Sequence, residues 1–249
     1  MKTLKLSVVA LMILGAAACS KNNGSNGPTS TTTATTDVAA DLVTASLAVN
    51  AQGSIGNVND VTVSAQAKIN LDSLCGTTWA DSVSRSITLG SFSYSYKAKN
   101  SYSVQCTTPS VFAGTVDINT SYSDSYSGPR VKSASSGSAA FAVSGLGRAS
   151  ALYSLTGEYK RSGSFQSKID STYNGTHNVD IVFTQLTYTK SGRSIKSGTA
   201  TFTISGDMPK RGSFSYTGTI VFKGGNSASL TINGYNYIIN IETGDKVRV

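Results

Sequence analysis

From about residue 84 onward, apolar and polar positions alternate along the chain. In SFSYSYKAK (91–99), Phe92, Tyr94, Tyr96 and Ala98 are separated by Ser and Lys. A side-chain period of two gives a strand one apolar face and one wet face. The period recurs in GSAAFAV (137–143) with Ala139, Phe141 and Val143, and in TATFTISG (199–206) with Ala200, Phe202 and Ile204. It returns in GSFSYTGTIVF (212–222) with Phe214, Tyr216, Ile220 and Phe222. ASLTI, Asn233-Gly234 and YNYIINI read as two strands joined by a two-residue turn, because both turn residues accept positive φ. Strands with short turns and no helical run between them predict an antiparallel meander. The runs are long, so the sheet is expected to curl into a sandwich or a partial barrel.

Ahead of the strands the period changes. DVAADLVTASLAVN (37–50) sets Val38, Leu42 and Ala45 on one helical face, and its alanines favour helix. Thr36 or Asp37 is expected to cap this short N-terminal helix, Asp37 also suiting the positive helix end. The helix is expected to plug an open end or edge of the sheet. NVNDVTVSAQAKIN (57–70), with Leu71 after it, fits a second helix or a strand. Residues 20–36, SKNNGSNGPTSTTTATT, carry no apolar periodicity. Such a segment cannot offset the entropy of ordering it, so 19–36 reads as a flexible tether and 37–249 as a single β-rich domain. Composition agrees with this all-β class. Only 14% of the 249 residues are charged, and the chain is rich in residues that suit a pleated, half-buried surface.

At the N-terminus, MKTLKLSVVALMILGAAAC has cationic Lys2 and Lys5, a nine-residue apolar stretch from Leu6 to Leu14, and small residues before Cys19. The stretch is too short to span a bilayer, which takes about 20 residues, and has the layout of an export signal. Ala16-Ala17-Ala18-Cys19 resembles the lipobox of bacterial lipoproteins, Ala16 standing where Leu is usual. The resemblance implies cleavage after residue 18 and acylation of Cys19. Ser20 follows, not the Asp that retains such proteins in the inner membrane, so the outer membrane is implied. Two or more acyl chains hold a protein firmly where one does not. An ordinary secretory leader with an incidental Cys is the alternative. Without residues 1–18, 19 basic residues face 13 acidic ones, and the net charge falls from +8 to +6.

An oxidising compartment leaves Cys75 and Cys106 one pairing. A disulfide there closes a loop of about 32 residues, worth about 3–4 kcal/mol by chain entropy. Two free buried thiols are the alternative.

Chemistry-bearing patterns are sparse. The single histidine, His177, lies in YNGTHNVD near Asp180 and is expected where a loop enters a strand. A serine nucleophile needs a histidine base, and no G-x-S-x-G elbow accompanies His177; a His177–Asp180–Ser set would have to be gathered by the fold. The sequence has no H-E-x-x-H, C-x-x-C or clustered His/Cys set, so no metal or cofactor is expected. Glu158 and Glu242 are the only glutamates, and Glu158, beside Lys160 and Arg161, reads as a paired strand-end charge rather than a glycosidase acid. SGLGRAS (144–150) nearly matches a dinucleotide fingerprint, but a strand follows it, so it reads as a hairpin. KRSGSF (160–165), KSGR (190–193) and KRGSF (210–214) read as basic turns, Lys160/Arg161 and Lys190/Arg193 at one end of the meander and Lys210/Arg211 at the other. Charge spread in this way does not favour nucleic acid. Tyr94, Tyr96, Tyr102, Tyr122 and Tyr126 form a candidate sugar-binding face, with cross-strand core packing as the alternative.

GEYKRSGSFQSK (157–168), SGTATFTISG (197–206) and FSYTGTIVFKGGNSASLTINGYNYIINIETG (214–244), with the lipobox and the cysteine pair, resemble a group of β-rich outer-membrane lipoproteins from Bacteroidota. That resemblance implies a fold and an envelope location, and no activity. It also makes Ser73, Ser82 and Ser171, each after an Asp, candidate O-glycosylation sites. The expectation is a non-catalytic, lipid-anchored envelope lipoprotein with a structural or interaction role, its partners membrane lipid through Cys19 and a glycan or another envelope protein. The alternative is a β domain that binds a glycan or an apolar ligand.

Overall fold

The computed structural model describes residues 30–71, 75–90, 92–106, 113–147 and 150–249; the leader, Cys19 and Ser73 lie outside them. Among the described residues, helices α1 (Ser30–Leu47) and α2 (Ser54–Leu71) come first. Eleven strands follow: β1 (Thr78–Leu89), β2 (Phe92–Cys106), β3 (Ala113–Ser127), β4 (Val131–Ser144), β5 (Leu152–Ser167), β6 (Asn174–Thr189), β7 (Ile195–Met208), β8 (Gly212–Gly224), β9 (Ser227–Ile232), β10 (Tyr235–Asn240) and β11 (Lys246–Arg248). They form one sheet in sequence order, every neighbouring pair antiparallel. The order begins at β1 and ends at β11 without a pairing between them, so the sheet is a partial barrel rather than a sandwich.

The alternation read from sequence sets the faces. Tyr94, Tyr96 and Ala98 of β2 point inward, as do Ala139, Phe141 and Val143 of β4 and Ala200, Phe202 and Ile204 of β7, all buried. Their Ser, Thr and Lys neighbours face out. Asn233 and Gly234 have φ of 48° and 76°, the paired positive values that a two-residue hairpin turn needs. Irregular registers at Leu155/Gly157, Phe183/Gln185 and Phe222/Gly224 interrupt the long ladders; bulges of this kind bend a strand and sharpen its twist.

The helices lie inside the curl, where the N-terminal one was expected to plug an open end or edge. In α1, residues 38–48 are buried without a break, and the helix contacts β4, β6 and β9. Its inner residues are largely small, Ala39, Ala40, Ala45 and Ala48 among them. A helix buried all round has no wet face to carry polar groups, so each one is satisfied locally or across the barrel. The Thr44 hydroxyl donates to the Asp41 carbonyl and the Ser46 hydroxyl to the Leu42 carbonyl. Asp41 takes the Arg130 Nε at 2.6 Å and the Lys246 Nζ at 3.3 Å. Its carboxyl is nevertheless raised above the ordinary range, because burial outweighs those two cations.

From Ser30, the first described residue, the chain is already helical, inside the segment read as tether, so Thr36 and Asp37 lie within α1 and not at its cap. They are cross-links instead. The Asn233 amide donates to the Thr36 hydroxyl, and the Tyr237 hydroxyl donates to Asp37 at 2.6 Å. The ambiguous segment is α2. Its residues Ile55, Val58, Val61, Ala65 and Ile69 recur at steps of three and four and are all buried, the stripe of an amphipathic helix.

Candidate functional site

The candidate tyrosine face is core. Tyr94, Tyr96 and Tyr102 are buried, with Tyr122 and Tyr126 beside them, beneath the helices. Tyr96 and Tyr122 stack with centroids 5.8 Å apart, and Tyr122 and Tyr159 with 5.3 Å. Gly137 on β4 makes the second stack possible: a Cβ there would meet the Tyr122 hydroxyl at 2.5 Å and the Lys160 carbonyl at 1.9 Å. Through that gap the Tyr122 hydroxyl donates to the Lys160 carbonyl at 2.8 Å. The Asn57 amide of α2 donates to the Tyr96 hydroxyl at 2.6 Å. Burial pushes the Tyr159 hydroxyl up to about 12. These rings offer nothing to a ligand in solvent; they clamp β2, β3 and β5 to one another and to α2.

A polar network lies at the β1 side of the same core. Asp81 accepts from the Ser64 hydroxyl of α2 at 2.5 Å, from the Asn100 amide at 2.7 Å and from the Tyr102 hydroxyl at 3.0 Å. Asp60 of α2 meets Arg85 at 2.8 Å and the Gln52 amide at 2.7 Å. These contacts hold α2 against the edge of the sheet. Ser82 stands next to Asp81 on the outer face of β1 and is exposed, as is Ser171 in the β5–β6 turn. Both are sterically open to a modifying enzyme.

Two charged groups depart from expectation. Lys160 and Arg161 are not in a turn; both lie within β5. Lys160 points outward and meets Glu158 at 2.7 Å, so Glu158 is a paired charge in mid-strand rather than at a strand end. Arg161 points inward and is buried with Asp124 of β3, their side chains 2% and 3% exposed. The Arg161 guanidinium also donates to the Ser133 hydroxyl at 3.0 Å. Burial raises the Asp124 carboxyl despite the guanidinium beside it.

His177 is likewise in a strand. It is buried in β6, edge-on to Phe165 at 6.0 Å, with Nε2 3.5 Å from the Ser135 hydroxyl. Asp180, three residues on, is on the opposite, outward side of β6, so no His177–Asp180–Ser set is gathered. Desolvation, helped by the Arg161 charge, lowers His177 from 6.5 to about 3. The unfolded chain therefore binds a proton between those values that the folded one refuses, and stability falls as pH falls. The expected loss through His177 is about 1.4 kcal/mol per pH unit across that window. The raised carboxylates Asp41 and Asp124 act in the opposite sense, because their folded state takes up protons first. Urea titrations of wild type and His177→Gln at descending pH isolate the histidine: the wild-type curve is expected to fall more steeply, and parallel curves would contradict the assignment.

Cys75, just before β1, and Cys106, at the end of β2, are joined by a disulfide with Cα atoms 5.5 Å apart. No group of three or more His, Cys, Asp or Glu that could hold a metal occurs among the described residues. Space inside the curl is scarce at the α2 contact: a cavity lined by Val58, Thr62, Tyr153 and Tyr188 measures about 10 Å³, room for about one water. A wider hollow of about 430 Å³ lies on the outer face across β4–β7, lined by Ser138, Lys160, Ser162, Asn178, Asp180 and Thr203 among others. There Asp180 is raised by partial burial and by the neighbouring Glu158. Sequence reasoning missed this hollow because its residues come from four strands and none stands out alone. No protein-family model, no curated protein and no solved structure matches the chain.

Proposed function

We propose that the chain is a lipid-anchored, non-catalytic module of the bacterial outer membrane, held by acylated Cys19 and serving a structural or interaction role. The observation that carries the reading is the occupied interior. Helices α1 and α2 fill the inner side of the sheet, the Tyr96, Tyr122 and Tyr159 rings there stack on one another, and Arg161 is paired with Asp124. A carrier of apolar ligands needs a lined cavity of several hundred Å³. The outward face carries Ser, Thr, Asn and Lys, as on Ser121, Ser123 and Ser125 of β3, whereas a barrel that crosses a membrane turns an apolar band outward. No helix among the described residues is long and apolar enough to cross a membrane, and acylation of Cys19 would supply the anchor. The test is palmitate labelling with membrane fractionation. Wild type is expected to take up label and sediment with membranes, and Cys19→Ala to do neither; equal behaviour of the two would overturn the reading.

The hollow at Lys160, Asn178 and Asp180 favours a second reading, glycan binding on the outer face. Its hydroxyls, amide and paired charges are suited to sugar hydroxyls, although no aromatic ring lines it.

A further inference from the structure

The two edges of the sheet are unlike. At one, β11 is three residues long, Lys246 is drawn to Asp37 and Asp41, and Arg248 lies 3.9 Å over the Tyr235 ring. That edge is short and charged, as protected edges are. At the other, β1 runs for 12 residues with neither proline nor lysine. Among the described residues β1 pairs with β2 alone. The Val104 N–H donates to the Thr77 carbonyl at 3.0 Å, so odd-numbered residues turn their backbone groups to β2. Even-numbered residues, Thr78 through Thr88, therefore point theirs out along the free edge. All six bear small uncharged side chains and are exposed. On the inner face of the same strand, Ile87 and Leu89 are 41% and 69% exposed, beyond the cover that α2 gives.

We infer that β1 is the interface for a second copy of this chain, paired antiparallel about Val83. The occupant follows from charge and register. With Val83 opposite itself, Asp81 faces Arg85 of the second copy and Trp79 faces its Ile87, and each pair occurs twice by symmetry. No charge meets its like. Val83 is then a non-hydrogen-bonded pair, which is what the outward-pointing even residues require: Ser82 exchanges both backbone bonds with Ser84 of the second copy, Ala80 with Ser86, and Thr78 with Thr88. Side chains in non-hydrogen-bonded pairs approach most closely, and those are the apolar and ionic ones. Arg85 carries five N–H donors, enough to keep Asp60 and still reach the second copy's Asp81. A head-to-tail β1–β11 contact would polymerise, and the three-residue β11 offers it little ladder. The pairing does not depend on the lipid anchor.

The test uses the purified full-length chain and light scattering after size exclusion. Wild type is expected to be a dimer. Ser84→Pro removes an outward N–H in mid-edge without touching the β2 ladder, a position at which proline is tolerated. It is expected to keep the wild-type far-UV spectrum while the dimer weakens about a hundredfold or more. Register is read by oxidation: Val83→Cys is expected to crosslink to itself, since directly opposed residues lie within disulfide reach, whereas Ile87→Cys, opposite Trp79, is not. A monomeric wild type at micromolar concentration, a Ser84→Pro dimer of unchanged strength, or self-crosslinking by Ile87→Cys in place of Val83→Cys would each overturn the proposal.

Discussion

Replacing Arg161 with Met is expected to destabilise the domain by about 3–5 kcal/mol, a large part of the 5–15 kcal/mol by which domains of this kind are usually stable. The cause is not the loss of an attraction so much as the charge left behind. Asp124 is buried on the inner face of β3, and the guanidinium of Arg161 is its ionic partner. Without it the carboxylate must ionise in an apolar setting or take up a proton. The second course makes the deficit depend on pH. A carboxyl whose folded pKa lies above its unfolded value of 3.8 adds stability as pH falls through the folded value, so the deficit of Arg161→Met is expected to shrink towards acid. Removing both partners, as Asp124→Leu with Arg161→Met, leaves no orphaned charge and is expected to recover most of the loss. Denaturant unfolding of the two single variants and the double variant forms the cycle that checks this. If Arg161→Met alone were as stable as wild type, the buried pair would be wrong.

Leu47→Ala is expected to cost about 2–5 kcal/mol, the range for a buried leucine whose site cannot collapse. Leu47 is 0% exposed, near the C-terminal end of α1 where the turn to α2 is held by Val49 N–H to the Ile241 carbonyl and Asn50 N–H to the Glu242 carbonyl, both 2.9 Å. Strands enclose the helix, so little can move in to fill the space. A leucine on a peripheral plug would cost far less, because solvent would take the vacated volume. Thermal or urea unfolding of Leu47→Ala separates the two pictures, a change of less than about 1 kcal/mol counting against an enclosed helix.

The strands could be read from the sequence because each carries its own signal. Phe92, Tyr94, Tyr96 and Ala98 alternate without regard to what they pack on, and Asn233-Gly234 dictates its turn locally. The helical start was hidden because the contacts at Thr36 and Asp37 come from Asn233 and Tyr237, 197 and 200 residues away. The segment that became α2 is rich in Val and Thr, which satisfy strand and helix patterns alike. Arg161 and His177 were misplaced by their neighbours: Ser and Gly after Lys160 imitate a turn, and Asn-Gly before His177 imitates a loop. Period two held the answer in both cases. Tyr159, Arg161, Gly163 and Phe165 share a face, as do His177, Val179, Ile181 and Phe183, and each set is otherwise apolar or small. Nothing of that kind foretold the hollow across β4–β7, which requires knowing which strands are neighbours.

The filled interior requires α1 to be the centre of the partial barrel, and native-state hydrogen exchange on the α1 amides measures that directly. Residues 38–48 are expected to exchange only when the whole domain unfolds, with the same opening free energy as the inner strands β4 and β6. Rapid exchange of those amides while β4 and β6 stay protected would mean that the helix leaves the sheet on its own, and the filled interior would be lost with it.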